Sequence, residues 1–155
     1  MIFALMIATA QAAPPIRQEG SFGIGGGFGA RVTGFDAKYW LSDKTAIQGI
    51  AGLGYYGSQD ALNVDIGVDI DFLFEFPSFM SNGDFEIGWN AGFGAMFNGG
   101  RLGANGVFGI EFIFDGVPLD LVVDARPALG FYAVEGASRV WLDPINAGLH
   151  VRYYF

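Results

Sequence analysis

Apolar and polar residues alternate strictly through the middle of the chain. From Leu62 to Phe76 the even-numbered residues are all apolar, whereas the odd-numbered ones are mostly Asn, Asp, Gly and Glu. Successive side chains of a strand point to opposite faces, so a strand sorts these residues completely, whereas a helix would scatter them. The segment from Phe85 to Asn98 repeats the pattern. Both segments are therefore predicted to be β-strands.

The same alternation, interrupted by turn residues, continues along most of the chain. It predicts eight strands, approximately at 21–32, 35–42, 45–57, 62–76, 84–98, 101–115, 118–134 and 139–155. The breaks contain residues that favour tight turns, such as Asn98-Gly99-Gly100. Because such short connections make consecutive strands antiparallel, we predict an all-β fold, an eight-stranded antiparallel up-and-down barrel. Pro127 cannot donate a ladder hydrogen bond, which predicts a bulge at Arg126–Ala128.

Composition indicates that this barrel crosses a membrane. Hydrophobic residues make up 52% of the chain, charged residues only 15%, and the mean hydropathy is +0.37. Ordinary soluble domains contain about a quarter charged residues. No segment after the N-terminus is apolar for the roughly 18 residues of a membrane helix, so the crossing elements would be strands. Several predicted strands exceed the about 9 to 11 residues that a tilted strand needs.

The direction of the two faces separates a membrane barrel from a soluble one. A lipocalin-like lipid-binding barrel would turn its Phe, Ile and Leu face inward and its other face to water. That other face is built largely of Gly, Asn and Asp, and glycine-rich strands are weak when exposed to solvent. Membrane barrels turn the apolar face to lipid and the polar face inward. We favour the membrane orientation and keep the lipocalin-like barrel as an alternative.

The N-terminal sequence predicts export. Met1 to Ala10 is a continuous apolar run, and Ala10-Gln11-Ala12 places small residues where a signal peptidase cuts. We expect residues 1–12 to be a cleaved signal peptide, 13–20 a short N-terminal segment, and 21–155 the barrel. The chain has no cysteine, which excludes disulfides and thiolate chemistry.

The C-terminal residues provide a resemblance to a known family. The last predicted strand alternates and ends in Arg152-Tyr153-Tyr154-Phe155. A chain with this ending and a signal peptide resembles the outer-membrane β-barrel proteins of Gram-negative bacteria, and Gly109 to Phe131 resembles the last hairpin of small OmpA-like and OmpX-like barrels. The resemblance implies an outer-membrane location among its lipids, and it implies that Tyr153 and Phe155 belong to the signal read by the barrel-assembly machinery. The chain departs from the adhesive and enzymatic members, because its longest predicted loop is only near Val134 to Pro144.

Nine ionisable side chains fall on the predicted inward face. With both chain ends on the periplasmic side, they lie in the periplasmic half of the barrel: Lys38, Glu75, Glu86, Glu111, Asp120, Asp124, Arg126, His150 and Arg152. An unpaired charge inside a narrow lumen costs several kcal/mol, so these groups must pair. We predict a structural or interaction protein whose lumen is plugged by salt bridges, with Glu111, Asp124, Arg126 and Arg152 in one network. The alternative is a narrow channel or small-solute transport barrel gated by these residues.

Other chemistry receives less support from the sequence. Asp65, Asp69, Asp71 and Glu75 share one strand face but lack the loop spacing of a cation site, so no metal is predicted. Gly52 to Gly57 matches G-x-G-x-x-G without the helix that a phosphate site needs. His150 is the single histidine and lies near the periplasmic end, away from the outer surface where lipid-acting enzymes work; we predict no catalytic residue, no enzyme activity and no cofactor. The net charge of −8 argues against a nucleic-acid partner, and a monomer is expected.

Overall fold

The computed structural model describes residues 16–29, 31–58, 61–114, 116–134, 137–144 and 146–155. The predicted signal peptide, residues 1–12, lies outside these ranges. The described residues form ten strands: β1 (Phe22–Gly29), β2 (Val32–Ser42), β3 (Thr45–Ser58), β4 (Ala61–Ser81), β5 (Phe85–Asn98), β6 (Arg101–Phe114), β7 (Leu119–Ala125), β8 (Ala128–Val134), β9 (Ala137–Asp143) and β10 (Ala147–Tyr154). No helix in these ranges is long and apolar enough to cross a membrane.

The strands close into an antiparallel barrel. From β1 to β6 each strand pairs with the next, and β10 pairs with both β1 and β7. β7 and β8 both pair with β6 and lie end to end, and β9 and β10 follow one another in the same way. The ten segments therefore occupy eight positions around the barrel. The predicted eight-stranded antiparallel barrel is confirmed, with its seventh and eighth strands each broken once.

The break in the seventh strand is not a bulge against β6. Asn105 pairs with Ala128 and Phe108 with Ala125, so two residues on each strand separate the paired positions. Between them Gly106 donates its N–H to the Pro127 carbonyl at 2.9 Å. Pro127, which has no N–H, therefore bonds β6 through its carbonyl alone. The register between β6 and the seventh strand is preserved across the break.

The extra residue lies instead on the neighbouring strand. Ala128 pairs with Asp143, whereas Ala125 pairs with Ala147, so three residues of one strand face two of the other. The bulge that the sequence predicted at Arg126–Ala128 is therefore wrong in position. The segment predicted as the longest loop, near Val134 to Pro144, is mostly strand, because β9 pairs with β8 along its whole length.

The outer face of the barrel is apolar. Side chains that point outward are among the most exposed of the molecule, including Phe93 and Phe108 at 60% each. We call the end of the barrel where β1 starts and β10 ends the terminal end, and the opposite end the far end. The exposed apolar side chains extend from the terminal end to the far end. The large exposed side chains include Phe28, Phe35, Leu53, Ile66, Ile70, Phe93, Phe97, Leu102, Phe108, Leu129 and Phe131. This orientation excludes the lipocalin-like alternative, which needs these residues inside.

The interior contains an apolar layer and a charged layer. At the terminal end a buried cluster is formed by Ile16, Trp40, Ala46, Leu73, Val107, Ile113 and Tyr154. Towards the middle of the barrel the buried side chains are mainly Asp, Glu, Arg, Lys, Asn and His. Gly103 and Gly130 make room for the Trp141 ring near the far end, since a Cβ on them would lie 2.6 Å and 2.7 Å from it.

Candidate functional site: the charged interior

Lys38 joins two glutamates at the terminal side of the interior. Its Nζ lies 2.7 Å from Glu75 Oε1 and 2.8 Å from Glu111 Oε1, and all three side chains are buried. The ammonium group also lies 4.5 Å from the Trp40 ring centroid. Lys38 and Glu111 come from β2 and β6 on different sides of the barrel, so this ion pair crosses the lumen.

Arg152 is a fully buried cation with partners on several strands. Its Nε and Nη2 donate to Asp120 at 3.0 Å and 2.8 Å, and its Nη1 donates to Gln48. Asp36 Oδ2 lies 3.6 Å from Nη1. Tyr154 donates its hydroxyl to Asp120 at 2.8 Å. A guanidinium presents donors in a planar fork, which explains how one side chain reaches partners on β3 and β7 at once.

His150 bridges two carboxylates. Nδ1 lies 2.9 Å from Asp36 Oδ2 and Nε2 lies 3.0 Å from Asp124 Oδ2, with all three side chains buried. A neutral imidazole has a single N–H, and carboxylates are acceptors only. Both bonds can therefore form only when the three side chains together hold two protons. Because no face of this ring is open to a substrate, the arrangement supports a structural role for His150.

Arg126 collects three aspartates nearer the far end. Nε donates to Asp124 at 2.9 Å, Nη1 to Asp69 at 3.1 Å, and Nη2 lies 2.9 Å from Asp71 Oδ2. Asn105 donates to the other oxygen of Asp71 at 2.8 Å. Since Asp124 is shared with His150, the contacts of Arg126 and His150 form one continuous chain across the lumen.

Arg17 was not anticipated from the sequence as part of this network. It precedes the first strand and reaches back under the barrel, where its Nε donates to Glu111 at 3.2 Å and its Nη2 to Glu75 at 3.4 Å. Its Nη1 also donates to the Phe76 carbonyl at 3.0 Å and to Glu86 at 3.4 Å. The sequence gives no local signal for these contacts, because the nearest of the three glutamates in the chain, Glu75, lies 58 residues after Arg17.

The predicted site residues fall into two groups. Eight of the nine are buried in the interior, and Glu86 lies at the terminal rim with its side chain 32% exposed. The four residues predicted in one network are linked, but not all directly: Arg152 pairs with Asp120 and connects to Asp124 and Arg126 through Asp36 and His150. Asp36, Asp69, Asp71 and Gln48 join them, while Asp65 is exposed and bonds the N–H of Ile66.

Carboxylates outnumber cations in this interior. Seven buried acids face three buried cations, Lys38, Arg126 and Arg152, together with His150 and the partly buried Arg17; the acids are Asp36, Asp69, Asp71, Glu75, Glu111, Asp120 and Asp124. Within the described part of the chain, no group of three or more His, Cys, Asp or Glu side chains is arranged to hold a metal ion.

The far end of the interior is closed by Arg31 and Trp141. The Arg31 guanidinium stacks 4.2 Å from the Trp141 ring centroid and forms an ion pair with Asp143. Between Arg31 and Arg126 lies a cavity of only about 10 Å³. This space is close to the smallest that holds one water molecule.

The two predicted assembly-signal residues lie at the terminal end. Tyr153 and Phe155 are 48% and 67% exposed, point outward and meet edge to face with ring centroids 5.2 Å apart. The Phe155 N–H donates to the Phe22 carbonyl at 3.0 Å, which fixes the C-terminus beside β1.

Comparisons with known proteins find a likeness at the level of shape. No protein-family model matches the chain, and no curated protein matches it. Among solved structures it is similar to the N-terminal β-barrel domain of OprF from Pseudomonas aeruginosa, with 17% sequence identity and a TM-score of 0.49 over 88% of this chain and 98% of that one. The chain is a closed antiparallel β-barrel of eight strand positions. That statement rests on its own strand pairings.

Proposed function

We propose that this chain is an outer-membrane β-barrel protein with a structural or interaction role, and that it is not an enzyme. One observation carries the proposal: a belt of exposed Phe, Leu, Ile and Val surrounds an interior in which the charged side chains pair with each other. In water this belt would be a large exposed apolar surface, whereas in a bilayer it faces hydrocarbon. Export by the signal peptide at residues 1–12 is part of the proposal.

The two ends of the barrel are assigned by the chain termini. We place the terminal end in the periplasm and the far end outside, as expected for a barrel with an even number of strand positions. Aromatic side chains surround the terminal end on the outer face, as they do at membrane interfaces. They are Tyr39, Phe74, Phe114 and Tyr153, each between 41% and 48% exposed.

The packing of the interior favours a plug over a channel. Lys38 and Arg152 are fully buried among their carboxylate partners, and the cavity beside Arg126 has a volume of only about 10 Å³. A hydrated ion would have to break several buried ion pairs at once to pass, and breaking one costs about 3–5 kcal/mol. We therefore propose that the protein is a rigid, monomeric barrel among the membrane lipids and that its role is structural.

Membrane fractionation combined with gel mobility tests the location. The protein should stay in urea-washed outer-membrane fractions, begin near residue 13, and migrate differently before and after boiling, as folded membrane barrels do. Recovery in the soluble periplasmic fraction, with one mobility in both conditions, would overturn the proposal.

Planar-bilayer recording tests the plug separately. The purified barrel should give no stepwise conductance, whereas a large porin in the same bilayers serves as the positive control. Regular conductance steps from the parent protein would replace the plugged barrel by the channel alternative and leave the location intact.

A further inference from the structure

One strand of the barrel, β9, has a ladder on only one side. Among the described residues every other strand pairs with two neighbours, whereas β9 pairs with β8 alone. Among the described strands it is therefore the one that lacks a partner on one side along its whole length. An edge strand presents a row of unpaired N–H and C=O groups that can pair with another polypeptide. We call this row the β9 edge.

The edge exists because β1 and β2 are short. The ladder between β1 and β10 ends at Gly29 and Gly148, and the ladder between β2 and β3 ends at Val32 and Gly54. Beyond this level β9 lies on one side and the end of β3 on the other, with no described strand between them. Strands are about 4.7–4.9 Å apart, so the two missing positions leave a notch about 14 Å wide.

Side chains rather than backbone connect β9 to the bottom of this notch. Arg31, in the turn between β1 and β2, pairs with Asp143 and stacks on Trp141. The same turn is fixed from the other side, because Tyr55 donates its N–H to the Arg31 carbonyl at 2.7 Å and Asn98 donates to it at 2.9 Å. These contacts hold the turn in place at the bottom of the notch. No strand pairing among the described residues closes the notch above it.

The notch does not open a lateral route from the membrane into the lumen. The interior beside β9 is filled by the Trp141 ring, which packs directly over Gly103 and Gly130. The nearby cavity has a volume of about 10 Å³, far below the about 300 Å³ of a small-molecule site. The notch therefore offers backbone groups and no vestibule.

The pairing of the neighbouring strand identifies the free backbone groups. Gly106 bonds the Pro127 carbonyl and Arg126 bonds the Asn146 carbonyl, so along this strand odd residues face β6 and even residues face the β9 side. Even residues of β8 pair with Arg139, Trp141 and Asp143. In an antiparallel ladder alternate residues bond alternate sides. The N–H and C=O groups of Ser138, Val140 and Leu142 therefore face the notch.

The side chains of β9 define what would pair with it. Val140 and Leu142 point outward and are 70% and 72% exposed, more than any other large apolar side chain described. Arg139 points to the opposite face, is exposed, and makes no ion pair within the described part of the chain. Cross-strand neighbours contact each other, so a matching strand places apolar residues beside Val140 and Leu142 and an acid beside Arg139.

We propose that the β9 edge binds an extended segment of another polypeptide, antiparallel to β9, in which apolar residues alternate with acidic ones. Main-chain hydrogen bonds to Ser138, Val140 and Leu142 supply the affinity and Arg139 supplies the charge selection. Which side of the membrane each end of that segment faces rests on the proposed function, because the proposed function assigns the two ends of the barrel. The pairing itself does not, so it is tested in detergent micelles.

Amide hydrogen exchange with a synthetic strand tests the proposal. The probe is a soluble peptide of about seven residues that alternates valine and glutamate, and the control is a scrambled peptide of equal composition. The alternating peptide should slow exchange of the Ser138, Val140 and Leu142 amides about tenfold or more and leave Arg139 and Trp141, already bonded to β8, unchanged. Unchanged exchange at saturating peptide would overturn the proposal. Slow exchange of the three amides before peptide is added would also overturn it. If that slow exchange persists on dilution, the edge is already paired within the chain; if it depends on protein concentration, a second copy occupies the edge.

Two variants distinguish edge pairing from adsorption to the apolar face. Val140→Pro removes one N–H that faces the notch and should abolish peptide binding; an edge strand tolerates proline at such a position. Val140→Ala shortens the side chain but keeps the N–H, so this variant should still bind the peptide. Arg139→Glu keeps every backbone group and should reduce affinity for the glutamate peptide about tenfold while favouring a lysine peptide. Equal binding by Val140→Pro and Val140→Ala, or no charge preference in Arg139→Glu, would refute strand pairing.

Discussion

Replacing Arg152 by methionine should destabilise the barrel strongly. Methionine keeps an unbranched apolar side chain in the same space, so packing changes little. The loss is electrostatic: Asp120 keeps the Tyr154 hydroxyl at 2.8 Å as its close partner and becomes an uncompensated buried charge. Breaking a buried pair in this way costs about 3–5 kcal/mol. Gln48 loses its Arg152 donor as well, which adds to the cost.

The double variant Arg152→Met with Asp120→Asn gives the sharper measurement. It removes both charges, so its free energy of unfolding should exceed the value expected from adding the two single losses by about 1–3 kcal/mol. Urea unfolding of the refolded barrel, followed by gel mobility and tryptophan fluorescence, provides the free energies. Arg139→Met is the control, because an exposed side chain outside the network should change stability by no more than about 0.5 kcal/mol. A loss below about 1 kcal/mol for Arg152→Met, as at an exposed pair, or strict additivity in the double variant, would refute the buried network.

Three further outcomes follow from single contacts. Gly34→Ala places a Cβ 2.3 Å from the Ala51 carbonyl and should cost about 1–3 kcal/mol. Gly26→Ala meets the movable Phe28 ring at 3.4 Å and the Gly34 carbonyl at 4.0 Å, both ordinary contact distances, and should be nearly neutral in the same urea assay. Arg17→Met removes the donor shared by Glu75, Glu86 and Glu111 and should lower the free energy of unfolding by about 1–3 kcal/mol; an unchanged urea midpoint would show that solvent replaces it. Deleting Phe155 removes an exposed ring and one backbone bond, so refolding in detergent should be nearly normal while membrane yield in cells falls; equal yields would contradict the assembly-signal interpretation.

Alternation in the sequence predicted the strands and faces well because it reports a local property, the direction of each side chain. The same alternation also contains a signal for the extra residue on the eighth strand. Val140 and Leu142 are even-numbered and outward, whereas Ala147 and Leu149 are odd-numbered and outward, so the alternation changes parity between them. One extra residue must lie in that interval, and the structure has it between Asp143 and Ala147.

The partners inside the barrel could not be read from alternation. Arg152 meets Asp120 because these two residues are directly opposite in the ladder between β10 and β7. That register depends on how the chain returns through β8 and β9, including the extra residue, and no local pattern encodes it. Asp36 and Arg17 were missed for related reasons: Asp36 reaches His150 through the closure of β1 on β10, and Arg17 lies outside any strand.

Two of the buried basic side chains lie on β10, the strand that closes the barrel between β7 and β1. His150 and Arg152 both lie on β10, the last of the described strands in chain order, and their partners Asp36, Asp120 and Asp124 lie on β2 and β7. Without β10, Asp36 and Asp120 lack these cations, whereas Asp124 keeps its contact with Arg126. Pairing of β10 with β1 and β7 therefore completes the backbone ladder and supplies the cations for Asp36 and Asp120 in the same step. Because salt screens interactions between charges, we expect the rate of barrel closure to depend on ionic strength.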